Sequence, residues 1–152
     1  MYGTLHCFGF ASRERSMSRD DGMRLLDAYV TAAARCAPPG NKPTRAELAR
    51  CRPFLEAEIT LLTHVRVDVL LGRVAHEAYL RTTGWWDRLP PAARPAFGHG
   101  LESRLPDGTL VIASYHPSRQ NKQTGRLTRP MWHAIFRRAR ADTALAASVA
   151  HR

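Results

Sequence analysis

The chain has 152 residues, 44% hydrophobic and 24% charged, with 10 Gly and 10 Pro, the make-up of an ordinary globular domain. Collagen, coiled coil, wholesale disorder and a disulfide miniprotein are excluded. The net charge of +10 draws polyanions such as nucleic acid, but all of the 23 basic residues except Lys42 and Lys122 are Arg, a bias that GC-rich coding also produces.

Tyr2 to Phe10 mixes aromatic and apolar positions like the tail of a helix, and Ser12 to Asp21 is a polar loop. Asp27 to Ala34 is short and largely apolar and predicts a buried strand, closed by Arg35 and the turn chemistry of Pro38, Pro39 and Gly40. Thr44 and Glu47 have capping-box spacing, and Leu48, Cys51, Leu55, Ile59 and Leu62 recur at helical intervals, which predicts a helix from about Pro43 to Leu62. Arg66 to Leu71 reads as a second strand and Arg73 to Thr82 as a helix turning Val74, Ala78 and Tyr79 toward it. Strand, helix, strand, helix is the order of an α/β fold with parallel strands.

Gly84 to Pro95, with Trp85 and Trp86, predicts an irregular packed excursion. The turn Leu105-Pro-Asp-Gly108 leads into a third strand, Thr109 to Ser114, and then a polar loop from Tyr115 to Thr128. Pro130 in a first turn, with Met131, Ala134, Ile135 and Ala139 following and Thr128 as cap, predicts a final helix. Asp142 to Arg152 is expected to fray. No apolar run reaches the roughly 18 residues of a membrane span, and Met1-Tyr2-Gly3-Thr4 is not a secretory signal. A cytoplasmic location is therefore expected.

In open α/β sheets, ligands bind beyond the carboxyl ends of the strands, so the loops Arg35 to Pro43 and Tyr115 to Thr128 are the places for chemistry. The second offers an imidazole, amides, hydroxyls and three cations, an inventory suited to phosphates and base edges. On composition alone, a solvated loop fits it as well. Cys7, Cys36 and Cys51 are too few, and odd in number, for a disulfide framework. A metal role and a buried structural role both stay open for them.

Tyr115-His116-Pro117-Ser118, followed by Gln123-Thr-Gly-Arg-Leu-Thr128 and Met131, resembles the final motif of the type-5 uracil-DNA glycosylases. Arg35-Cys-Ala-Pro-Pro-Gly-Asn-Lys-Pro-Thr44, then Glu47 and Cys51-Arg-Pro-Phe-Leu55, resembles the middle motif of that family, and Leu71-Gly72 and His99-Gly100 fall at its intervals. The resemblance runs from Tyr2 to Ala139. It implies a three-layer α/β/α fold with a parallel sheet, and a monomeric enzyme of base-excision repair that acts on duplex DNA. Such an enzyme flips a deaminated base out of the helix and hydrolyses its glycosidic bond without a lysine Schiff base.

The resemblance assigns His116 as the donor to the departing base and Asn41 as the residue that assists catalysis or positions the water. Ala32 falls where the related type-4 enzymes carry a uracil-reading asparagine, which implies a pocket that also accepts hypoxanthine or xanthine. Ser118, Arg119, Asn121, Lys122 and Arg126 are assigned to the DNA. Cys36 and Cys51 match two of the four thiolates of a [4Fe-4S] cluster, whereas Cys7 matches no ligand position.

An upstream Gly-Leu-Ala-Pro type motif, two further cysteines and an inner strand are missing from the pattern. The expectation is therefore a partial glycosylase domain over residues 1–142 with a tail over 143–152, from a misassigned start, a decayed gene or a fragment. Two rivals stand beside the enzyme. One is an inactive remnant that binds DNA weakly without cluster or turnover, and the other is a zinc-binding nucleic-acid module using Cys36, Cys51 and histidines.

Overall fold

The computed structural model describes residues 1–35 and 42–150, with side chains through residue 144. In chain order the elements are α1 (Tyr2–Cys7), α2 (Arg45–Leu61), β1 (Val67–Leu71), α3 (Arg73–Thr82) and α4 (Trp85–Arg88), then β2 (Glu102–Arg104), β3 (Leu110–Ser114), α5 (Arg119–Gln123) and α6 (Arg129–Ala150). They gather into two compact units, Thr31–His116 and Met1–Val30 with Pro117–Arg152.

The unit Thr31–His116 is built on a small mixed sheet of order β1-β3-β2. β3 is central, parallel to β1 and antiparallel to β2, and each of its five residues is buried. That burial is why it reads as a continuous apolar run without alternation. β2 escapes a sequence reading because Glu102-Ser103-Arg104 is polar and only three residues long. The expected parallel pairing is present in β1 and β3, and β2 adds a short antiparallel edge strand to it.

α3 has the predicted ends, but the face it buries carries His76, Tyr79 and Leu80. Val74 is exposed, because the buried positions are spaced by three and four residues and Val74 lies off that stripe. Tyr79 and Leu80 pack with Leu70, Leu105 and Val111, and Ile59, Trp85, Trp86 and Leu89 close around them. α2 begins on the predicted capping box. Thr44 Oγ1 accepts from the Glu47 amide at 3.2 Å, and the Glu47 carboxylate accepts from the Thr44 amide at 2.7 Å.

The strand expected over Asp27 to Ala34 does not form. No ladder includes these residues, and Tyr29 and Val30 are exposed. Asp27 has φ 48°, which breaks the extended run at its start, and three consecutive alanines add little β preference. Side chains tie the segment down instead. Thr31 and Arg35 both donate to the Glu58 carboxylate of α2, and within the other unit Arg140 lies 3.5 Å from Asp27.

The unit Met1–Val30 with Pro117–Arg152 rests on α1 and α6. Trp132, Ile135, Phe136 and Ala139 are buried along one stripe of α6 together with Leu5, Phe10 and Leu127, while Ala134 faces out. Trp132 Nε1 donates to Thr4 Oγ1 at 2.9 Å. Arg140 donates to the carbonyls of Phe8 at 3.0 Å and Gly9 at 2.6 Å, with its guanidinium over the Phe10 ring. Thr128 Oγ1 accepts from the Met131 amide at the start of α6. The helix then continues to Ala150, past the point where fraying was expected, and an Arg138 to Asp142 ion pair spans the turn concerned.

Candidate active site

β1 and β3 end level with each other, Leu71 opposite Ser114, so the segments that follow them leave the same carboxyl edge of the parallel pair. Gly72 follows β1. Its amide donates to the Ser114 carbonyl at 2.8 Å and its carbonyl accepts from the His76 amide at 3.0 Å, so it both ends the ladder and starts α3. Tyr115 and His116 follow β3. A β-carbon on Gly72 would lie 3.1 Å from His116 Cβ, closer than nearly all real contacts of that kind. The bare backbone of residue 72 is what makes room for His116, which is itself exposed.

Aromatic side chains surround this edge. The Phe97 ring lies 5.5 Å from that of His76 and 6.4 Å from that of Tyr115, and the His99 ring lies 5.2 Å from Tyr115. The Arg73 guanidinium sits over Phe97. His76 is buried, with Nε2 lacking a hydrogen-bond partner among the described residues. Burial holds its imidazole below the usual histidine range, and the nearby Glu77 carboxylate opposes that shift. Sequence reasoning gave no part to His76 or Phe97. Neither carries a motif, and only the fold brings them to His116's end of the sheet.

Ser118 is the N-cap of α5, its Oγ accepting from the Asn121 amide at 3.2 Å. The carbonyl of Asn121 in turn accepts from the Leu127 amide at 2.9 Å. Arg119, Lys122 and Arg126 are exposed along the same excursion, so the polar loop contains a short helix that presents its cations outward. Lys122, Gly125, Thr128, Arg129 and His133 line a cleft of about 530 Å³ in their unit.

Cys51, on α2, is half-buried, and the Arg35 amide donates to its sulfur at 3.4 Å. Cys7 is exposed at the end of α1. Cys36 and Asn41 lie outside the described residues. Ala32 is exposed in the segment without a ladder, so the strand position expected for it is corrected.

A family model for the uracil DNA glycosylase superfamily matches residues 1–140. The chain belongs to the uracil DNA glycosylase superfamily. It is similar to the type-5 uracil-DNA glycosylase of Thermus thermophilus, 49% identical over 140 residues, which are 92% of this chain and 61% of the relative. The type-5 enzyme of Mycobacterium tuberculosis is 42% identical over 92% of this chain and 51% of its own length. That of Pyrobaculum aerophilum is 39% identical over 93% of this chain and 59% of its own length. The chain therefore spans about half to three fifths of the length of these three relatives.

A [4Fe-4S] cluster takes four thiolates, and this member of the superfamily has three cysteines. Among the described residues, no three His, Cys, Asp or Glu side chains gather in a way that could hold a metal ion. An amide aimed at the Cys51 sulfur suits a thiolate ligand, but the chain's own donors do not complete the set. No helix of the described residues is long and apolar enough to cross a membrane.

Proposed function

We propose that this chain carries the base-releasing histidine and the DNA-facing loop of a uracil-DNA glycosylase that acts on deaminated bases in duplex DNA. The observation that carries this reading is His116, set on the carboxyl edge of the parallel pair where Gly72 leaves room for it. In hydrolysis the C1′–N bond breaks with its electron pair leaving on the base, and the sugar takes on oxocarbenium character. A donor at a base oxygen meets that charge as it develops. His116 is the group proposed for that hydrogen bond. Water adds to the sugar carbon and loses its proton, which gives free base and an abasic site, with Asn41 orienting the water.

Arg119, Lys122 and Arg126 supply charge for the DNA backbone, and Ser118 and Asn121 shape the turn that presents them. With Ala32 in place of an amide, the substrate range extends from uracil to hypoxanthine or xanthine. In an enzyme holding the iron–sulfur cluster, Cys36 and Cys51 are two of its thiolates, and the other two come from outside this chain. A cytoplasmic, monomeric protein is part of the same proposal.

The test is single-turnover excision from a uracil-containing duplex by this chain and by His116→Ala. Uracil release that slows by about 10²-fold to 10³-fold in the variant, with duplex affinity kept, supports the assignment. Equal rates remove His116 from the chemistry. Binding with no release by either protein favours a remnant that only holds DNA.

A further inference from the structure

The peptide units on both sides of Tyr115 are fastened, and one of the fasteners is an imidazole. The Tyr115 N–H lies 3.3 Å from His99 Nδ1, and Ser114 Oγ donates to the Tyr115 carbonyl at 3.0 Å. Ser114 Oγ is also 3.3 Å from His99 Nδ1, and Ser114 is fully buried. A backbone N–H can only donate, so Nδ1 must accept, and the ring proton of a neutral His99 then belongs on Nε2. The Tyr115 carbonyl belongs to the peptide that leads into His116. Fixing both of its neighbouring peptide planes therefore fixes the direction in which residue 116 leaves the strand.

The ring of His99 is close to that of Tyr115, and the segment bearing it is laced to β3 as well. The Gly100 amide donates to the Ala113 carbonyl at 2.8 Å, and the Ala113 amide to the Leu101 carbonyl at 2.9 Å.

We infer that His99 is a positioning residue for His116, its unprotonated Nδ1 holding the Tyr115 amide so that the His116 side chain is aimed before a base arrives. This rests on the glycosylase reading of His116. Preorganising a donor matters because a small misplacement at the moment of reaction loses much of its effect.

The test compares His99→Leu, which removes the acceptor, with His99→Asn, whose amide oxygen can take the place of Nδ1. Single-turnover uracil excision is expected to fall tenfold or more in His99→Leu with duplex affinity unchanged, and to return to within about threefold of the unaltered chain in His99→Asn. On a His116→Ala background, His99→Leu is expected to cost nothing further, since the two act as one unit. A full rate in His99→Leu, equal losses in the Leu and Asn variants, or an undiminished extra loss on the His116→Ala background overturns the inference.

Two readouts do not need turnover. Hydrogen exchange at the Tyr115 amide should be slow in the unaltered chain and in His99→Asn and at least tenfold faster in His99→Leu. The imidazole ¹⁵N shifts of His99 in the unaltered chain should show Nδ1 bare and Nε2 protonated, and the opposite tautomer overturns the inference even where His99→Leu does not fold. If His116→Ala leaves excision unchanged, the glycosylase reading fails, while exchange and ¹⁵N shifts still decide whether His99 holds Tyr115.

Discussion

Gly72 is the residue on which the site's geometry turns. Its φ of 93° and ψ of 159° fall in a region that essentially only glycine occupies, and a side chain held there costs of order 1 to 3 kcal/mol. Gly72→Ala should lose stability of about that size in chemical denaturation. It should also slow excision more than the stability loss explains, because the added methyl meets His116 Cβ at 3.1 Å. Excision at the unaltered rate per folded molecule would show that His116 tolerates displacement. His116 itself is legible in the sequence because the His-Pro-Ser run lies where a strand ends. His99 is not legible in that way. Its partner is a backbone amide sixteen residues away, and no pattern of side-chain types announces such a pairing.

At the scale of elements, α3 and β1 are joined by a buried polar contact, Tyr79 OH donating to the Asp68 carboxylate at 2.7 Å. Burial raises the Asp68 carboxyl above its ordinary 3.8, the tyrosine hydrogen bond opposes that rise, and burial raises Tyr79 as well. Just above pH 3.8 the folded protein therefore keeps a proton that the unfolded chain has released, so stability falls as pH rises through that window. Tyr79→Phe strips the carboxylate of this donor and should cost about 1 to 3 kcal/mol at neutral pH. The deficit should shrink as pH falls toward 3.8, because the raised Asp68 carboxyl takes up its proton in the folded protein above that value and no longer presents a charge for the tyrosine to satisfy. Urea denaturation of both proteins from pH 3.5 to 7 checks this, and a deficit that does not change with pH would separate the tyrosine from the carboxylate.

The elements that could be read in advance are those whose local chemistry agrees with their surroundings. α2 carries its own capping box, and β3 is apolar throughout because it is covered throughout. The segment from Asp27 to Ala34 is as apolar as a strand, but strand formation needs a neighbour to complete its ladder. Its polar groups found Glu58 and Arg140 instead. β2 was invisible for the opposite reason, since its pairing with β3 is made by backbone groups while its side chains are polar.

For the whole molecule, the family could be read because two long blocks stand in the right order, whereas charge alone could not distinguish a DNA enzyme from a GC-rich coding bias. The division into units was not foreseen. One unit is a single stretch, Thr31–His116, and the other joins Met1–Val30 to Pro117–Arg152. In refolding followed by pulsed hydrogen exchange, amides of β3 and α3 should gain protection before those of α1, whose partners on α6 are more than a hundred residues distant in sequence. Simultaneous protection would mean that the units fold as one.

The Arg140 clamp on the carbonyls of Phe8 and Gly9 carries this further. When the ribosome has made His116, all of the stretch Thr31–His116 has been synthesised, whereas α1 still lacks the arginine and tryptophan that will hold it. Until α6 clears the exit tunnel, residues 1–30 are without those partners, and the speed of synthesis over the last stretch sets how long they stay uncovered.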